Sequence, residues 1–227
     1  MSADTTPGAL RQCLELARKD LRQELRAGEA LLVTAPFGAA GLLLVPLAIG
    51  SDVPLLRQIG PGLYWVVMLL FGVLVTLRQS AVDGPAQLAM VRLFGVHPAV
   101  RLAGRAAANT VLLLIFEALL IPVAVILYDP DLSGWVWLLP VFPLVAVGLA
   151  LLGTLANALA QGLASRTALG PLLVVPVSLP LLLGATQVLE AARYGHQPWS
   201  WLLLILTVDL AVAVALGLVS RHLEEAA

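Results

Sequence analysis

Between Ala30 and Ile49 no side chain carries a charge, and five later stretches share that property but for one acid in each of two of them. An apolar block of this length matches the ~30 Å hydrocarbon core of a bilayer at 1.5 Å per helical residue. In lipid every backbone polar group needs a partner within the protein, and a helix supplies it locally. The blocks fall at about 30–49, 60–77, 106–127, 135–160, 169–189 and 200–219. The chain is 60% hydrophobic and 12% charged, against about 25% charged in a soluble domain. These features predict an all-α integral membrane protein with six transmembrane helices in a single membrane domain, residues 30–227. We find no tandem repeat and no soluble domain.

Residues 1–29 mix both signs of charge and hold no early apolar core with a cleavage site, so the first span is expected to stay in the mature chain. Within them Leu10, Leu14, Ala17, Leu21 and Leu25 recur every three or four residues, with Arg11, Glu15, Arg18, Lys19, Arg22, Glu24 and Arg26 between them. That pattern predicts an amphipathic cytoplasmic helix, read as interfacial, with its arginines toward acidic lipid, or else packed on a partner. The single cysteine, Cys13, excludes an intrachain disulfide.

A net charge of -1 excludes the basic balance of a nucleic-acid binder, and only the distribution of charge informs. Of the 13 basic residues, eleven fall at the termini and in the even-numbered links, and only Arg57 and Arg193 on the other side. By the positive-inside rule both termini and the 78–105 loop are cytoplasmic, and the links at 50–61, 128–134 and 190–199 face outward. In a bacterium this is a multi-pass protein of the cytoplasmic (inner) membrane. The 78–105 loop combines Asp83-Gly84-Pro85, an apolar run from Leu88 to Phe94, and a Gly95-Val96-His97-Pro98 turn, which reads as a loop with a short helix inside it. Pro36, Pro46, Pro171, Pro176 and Pro180 each remove a backbone donor within a span, and neighbouring helices or water must satisfy the freed carbonyls.

Enzymatic chemistry has little to work with. The one lysine, Lys19, has no glycine-rich loop around it, so there is no phosphate-binding loop and no ATPase site of that kind. HExxH and CxxC are absent, and His97, His196 and His222 are widely separated. A polytopic protein with a substantial cytoplasmic loop suits one half of a two-component transporter, in which a loop helix seats in a groove of an energy-supplying subunit. Arg92, Leu93, Phe94, Gly95, Val96, His97 and Pro98 are the candidate coupling element; the alternative is a loop lying on the membrane surface.

Three polar residues inside spans stand out: Asn109, Glu117 and Asp209. A charged carboxylate at mid-bilayer costs at least ~2.5 kcal/mol and persists facing a bundle interior or a cavity. Glu117 and Asp209 therefore line a path or a subunit seam, or are protonated or paired for packing. Asn109 is read as a hydrogen-bonding bridge between helices. An ion- or proton-coupled secondary transporter, using Glu117 and Asp209 as its relay, is the alternative function.

Several segments together carry a family resemblance. Lys19-Asp20-Leu21-Arg22-Gln23-Glu24-Leu25-Arg26, the Gly60-Pro61-Gly62-Leu63-Tyr64-Trp65 entry to the second span, Gly104-Arg105 with Asn109 and Glu117 through Pro122, and the prolines Pro176 and Pro180 occur in an order that resembles the CcmB family. That family is the permease-like membrane component of the cytochrome c maturation ABC system. Where it carries a phenylalanine and acids before the loop Asp-Gly, this chain reads Arg78 to Gly84, and Arg105 stands for the usual lysine. The resemblance implies an ABC-2-type exporter-like fold, two copies per complex, and ATP bound in a separate ATPase subunit, CcmA. It implies work beside CcmC, CcmD and the haem chaperone CcmE, in haem export or in release of the loaded chaperone. No cofactor is expected to be held stably by this chain; haem is the one to consider, with His196 as a candidate axial ligand or simply a loop histidine.

Overall fold

The computed structural model describes residues 8–27, 29–50, 52–82, 97–160 and 166–225, and all regular structure among them is helical. In chain order the helices are α1 (Ala9–Ala27), α2 (Glu29–Ile49), α3 (Val53–Val82), α4 (Pro98–Tyr128), α5 (Leu138–Ala160), α6 (Arg166–Arg193) and α7 (Trp199–Glu225), with a 3-10 turn at Trp135–Trp137. Five apolar segments are long enough to cross a bilayer, Val53–Leu74, Pro98–Tyr128, Trp135–Leu159, Val174–Arg193 and Trp199–Arg221, and α2 adds a shorter one, Val33–Ile49. The protein is an all-α, multi-pass membrane protein.

Several helix bounds differ from the sequence reading: α3 runs on to Val82, so residues 78–82 of the expected cytoplasmic loop are helical, α6 spans Arg166–Arg193 where 169–189 was expected, and the two largest shifts, at the starts of α3 and α4, turn on residues read there as loop signals. Asp52 acts as an N-cap: its side chain accepts the Leu55 N–H at 3.3 Å and its carbonyl accepts that of Leu56 at 3.0 Å. Pro54 follows in the first turn, where its missing N–H costs nothing, so α3 begins at Val53 and most of the expected 50–61 link is helix. Likewise Pro98 opens α4 directly after His97, so residues 98–105, expected in the cytoplasmic loop, are helical. Residues 83–96, which include Arg92, Leu93, Phe94, Gly95 and Val96 of the candidate coupling element, lie outside the described residues. At its other end α4 stops at Asp129, whose left-handed backbone (φ 42°) turns its N–H onto the Val125 carbonyl at 3.0 Å.

α4 and α5 form the centre of the bundle: α4 packs on α1, α2, α3, α5 and α7, and α5 on α3, α4, α6 and α7. Leu112, Leu113, Phe116, Val141, Val145 and Ala146 are fully buried between them and their neighbours. The outer surface is equally apolar. Leu203, Leu206, Leu210, Val214 and Leu218 form an exposed stripe at helical spacing along α7, a surface suited to lipid or to another apolar protein face.

The 31 residues of α4 extend about 46 Å, well beyond a ~30 Å hydrocarbon core, and the excess at the Pro98 end is where α1 sits. A Cβ on Gly104 would lie 3.0 Å from the Cys13 carbonyl oxygen and 3.0 Å from Leu16 Cβ, so the absent side chain sets the close approach of the two helices. Cys13, Leu16, Ala17, Asp20 and Leu21 turn inward, whereas Leu10 (82% exposed) and Leu14 (66%) remain open. The amphipathic helix thus shares its apolar stripe between its own chain and its surroundings.

Candidate functional site

The polar residues buried inside the bundle are few enough to follow individually. Asn109 on α4 is fully buried, and its Nδ2 donates to Thr154 Oγ1 on α5 at 3.5 Å, while the threonine hydroxyl donates to its own helix at Ala150 O, 2.7 Å away. The hydrogen bond links α4 to α5. Its Oδ1 has no hydrogen-bond partner among the described residues.

Eight residues further along α4, Glu117 is 1% exposed, in a surround of Leu113, Phe116 and Leu120. Tyr64 of α3 donates its hydroxyl to the Glu117 backbone carbonyl at 3.1 Å, and Tyr64 packs edge-on against Trp65 and Phe142. The carboxylate itself accepts nothing among the described residues. Asp209 on α7, 5% exposed, is in the same position chemically and faces a different seam: a Cβ on Gly148 of α5 would collide with Asp209 Oδ1 and with Leu181 of α6. Counting at 1.5 Å per residue, Glu117 lies about 16 Å from Tyr128 at the end of α4, and Asp209 about 15 Å from Trp199 at the start of α7. Both acids therefore sit at mid-depth, on separate helix contacts. Two buried carboxyls without hydrogen-bond partners among the described residues can each hold or yield a proton.

A third arrangement escaped sequence reading. Pro46 has no N–H to give the Leu42 carbonyl one turn earlier, and the Tyr128 hydroxyl donates to that carbonyl at 2.5 Å. Tyr128 reaches it because Gly60 of α3 leaves room: a Cβ there would fall 2.6 Å from Tyr128 Cβ. The demand for a donor was legible from Pro46, but which side chain meets it depends on three helices converging. Thr154, Asn157 and Gly148 were also missed. A small residue in a long apolar run is the signal that could have identified Gly148.

His97 and Pro98 are the described part of the candidate coupling element; His97 is the exposed residue before α4, and its carbonyl accepts the Arg101 N–H at 3.1 Å. His196 is exposed in the link between α6 and α7, with Nδ1 3.1 Å from the Tyr194 carbonyl oxygen. The structure does not bring it to Glu117 or Asp209, which are buried about ten residues or more along their helices. Among the described residues no three His, Cys, Asp or Glu side chains gather closely enough to hold one metal ion.

Comparison with known proteins bears on the whole chain. Heme exporter protein B of Haemophilus influenzae is 32% identical over 207 residues, covering 90% of this chain and 92% of that protein. The proteins of the same name from Paracoccus denitrificans and Bradyrhizobium diazoefficiens are 28% identical over 196 residues and 26% over 202. The pattern that defines the CcmB protein family matches residues 11–222, which takes in all or most of every helix described above, and the chain belongs to that family.

Proposed function

We propose that the chain is the membrane-spanning permease subunit of a haem-export ABC system serving cytochrome c maturation, with ATP hydrolysed by a separate subunit of the CcmA type. The observation that carries this reading is the family match across residues 11–222, together with full-length relatives named heme exporter protein B. CcmC, CcmD and the chaperone CcmE are the further partners, with two copies of this chain per complex. In this reading the protein lies in the bacterial inner membrane with α2 as a sixth span and both termini cytoplasmic, in keeping with the eleven-to-two distribution of basic residues. The segment from Arg92 to Pro98 receives motion from the ATPase, and α4, which starts at its end, carries that motion into the bilayer. Glu117, Asp209 and Asn109 lie along the moving contacts, and ATP hydrolysis drives haem export or release of haem-loaded chaperone. If haem touches this subunit, His196 is its candidate axial ligand.

Affinity capture of tagged protein from gently solubilised membranes tests the assembly. Recovery of an ATPase subunit and cytochrome c maturation proteins, with ATPase activity, supports it. Recovery of this chain alone in several detergents overturns it. The carboxyls of Glu117 and Asp209, without hydrogen-bond partners among the described residues, favour the second reading, a proton-coupled secondary transporter. Transport that persists without an ATPase and is lost on replacing both acids would establish that reading instead.

A further inference from the structure

Where α3 begins and α6 ends, Arg57, Gln58, Asp131, Glu190, Arg193 and Tyr194 line a cavity of about 550 Å³, within the ordinary range of ligand sites. Arg57 and Arg193 are the two basic residues that the charge distribution assigns to this side, and both reach one cleft. Each is oriented by the link after α4. Arg57 donates through Nε (3.1 Å) and Nη2 to Asp129 Oδ2, and Arg193 Nε stands 3.4 Å from Asp131 Oδ2. Asp131 is fixed in turn by the Ser133 N–H at 3.0 Å. A guanidinium has five N–H donors, so these contacts aim the two forks while leaving capacity for a ligand.

The lining carries both signs, with the guanidiniums of Arg57 and Arg193 beside the carboxylates of Asp131 and Glu190. A simple anion gains on one pair and is repelled by the other, whereas a zwitterion satisfies both. Depth points the same way. Trp135, Tyr194 and Trp199 are exposed at this end, the aromatic signature of the headgroup level. A narrow apolar slot adjoins the cleft at Pro61 and Leu189 and is walled by Tyr64, Trp65, Tyr128 and Phe142. Its Tyr64 wall stands about 10 Å beyond Arg57 along α3, toward the bilayer centre.

We propose that this cleft binds the headgroup of a zwitterionic, primary-amine phospholipid. Its phosphate lies on Arg57 and Arg193, its ammonium between Asp131 and Glu190, and the start of an acyl chain enters the aromatic slot. The proposal rests on the membrane reading alone and stands whether or not haem is the cargo.

The test is lipid retention by the full-length protein released from nanodiscs of equal phosphatidylethanolamine and phosphatidylglycerol, read by native mass spectrometry. The wild type is expected to retain phosphatidylethanolamine about tenfold over phosphatidylglycerol, the scale of one charge-assisted contact. Arg57→Gln with Arg193→Gln is expected to lower the retention of both lipids, which share the phosphate. Glu190→Gln, which leaves both arginine–aspartate pairs intact and so spares the fold, is expected to reduce it severalfold. Equal retention of the two lipids by the wild type, preference for phosphatidylglycerol, or a preference unchanged in Glu190→Gln overturns the proposal.

Discussion

Removing the Tyr128 hydroxyl tests whether one side chain repairs a proline-broken helix on its neighbour. Tyr128→Phe keeps the ring in its fully buried site and deletes only the donor to the Leu42 carbonyl, which Pro46 has already deprived of its helical partner. Leaving a buried acceptor unsatisfied costs about 1–3 kcal/mol, and polar contacts between membrane helices average ~0.6 and reach ~1.7 kcal/mol. Leu42 is 0% exposed, which favours the upper part of that overlap. We expect about 1.5 kcal/mol, roughly a tenfold loss in the ratio of folded to unfolded protein. The assay is reversible unfolding of the full chain in mixed micelles or bicelles. Pro46→Ala restores a backbone donor to Leu42, so in that background the cost of Tyr128→Phe should fall below about 0.5 kcal/mol, a coupling of about 1 kcal/mol. Equal costs in the two backgrounds would refute the repair and leave Tyr128 as ordinary packing.

Gly148→Ala should destabilise the bundle by about 1–3 kcal/mol through overpacking, with partial recovery in an Asp209→Ala background, read in the same unfolding assay. Gly104→Val should push α1 off α4; the lone, half-buried Cys13 reports this as faster maleimide labelling, and an unchanged rate would mean the helices do not meet there. Glu117→Gln, close in shape, should leave stability within about 0.5 kcal/mol and lower cytochrome c assembly; normal assembly removes Glu117 from the mechanism. The Ser133 backbone and side chain, followed by the two arginines, hold the Asp131 carboxyl below its ordinary range. A depressed carboxyl keeps its ion pair until pH falls through the folded value, so phosphatidylethanolamine retention should be flat from pH 7 to about 4 and fall below that; loss near pH 6 would contradict it.

Most of the fold was legible because lipid leaves a chain one local solution, and the absence of charge marks where that solution applies. Boundaries were less legible, since Asp52, Pro54 and Pro98 serve equally as loop residues and as the opening of a helix, and only backbone geometry decides. Glu117, Asp209 and Asn109 stood out as polar residues in apolar blocks. Their neighbours did not: Thr154 and Gly148 acquire meaning only from the helix that passes them, as does Tyr128 from the chain bend at Pro46. Nor does periodicity reveal that α1 divides its apolar stripe, because a helical wheel shows which residues share a face but not how much of that face is taken.

The length of α4 has a mechanical consequence. Its unbroken run from Pro98 to Tyr128 joins the α1 contact at one end to the link at the other, where Asp129 and Asp131 meet the arginines of α3 and α6. A rod of about 46 Å pivoted at its Pro98 end and tilted by about 5° sweeps its far tip about 4 Å. That is enough to part both ion pairs without disturbing a single turn of the helix. Pro122, about four-fifths of the way along, is the place where such a lever would flex, and its compliance would decide how much of a push at one face of the membrane arrives as displacement at the other.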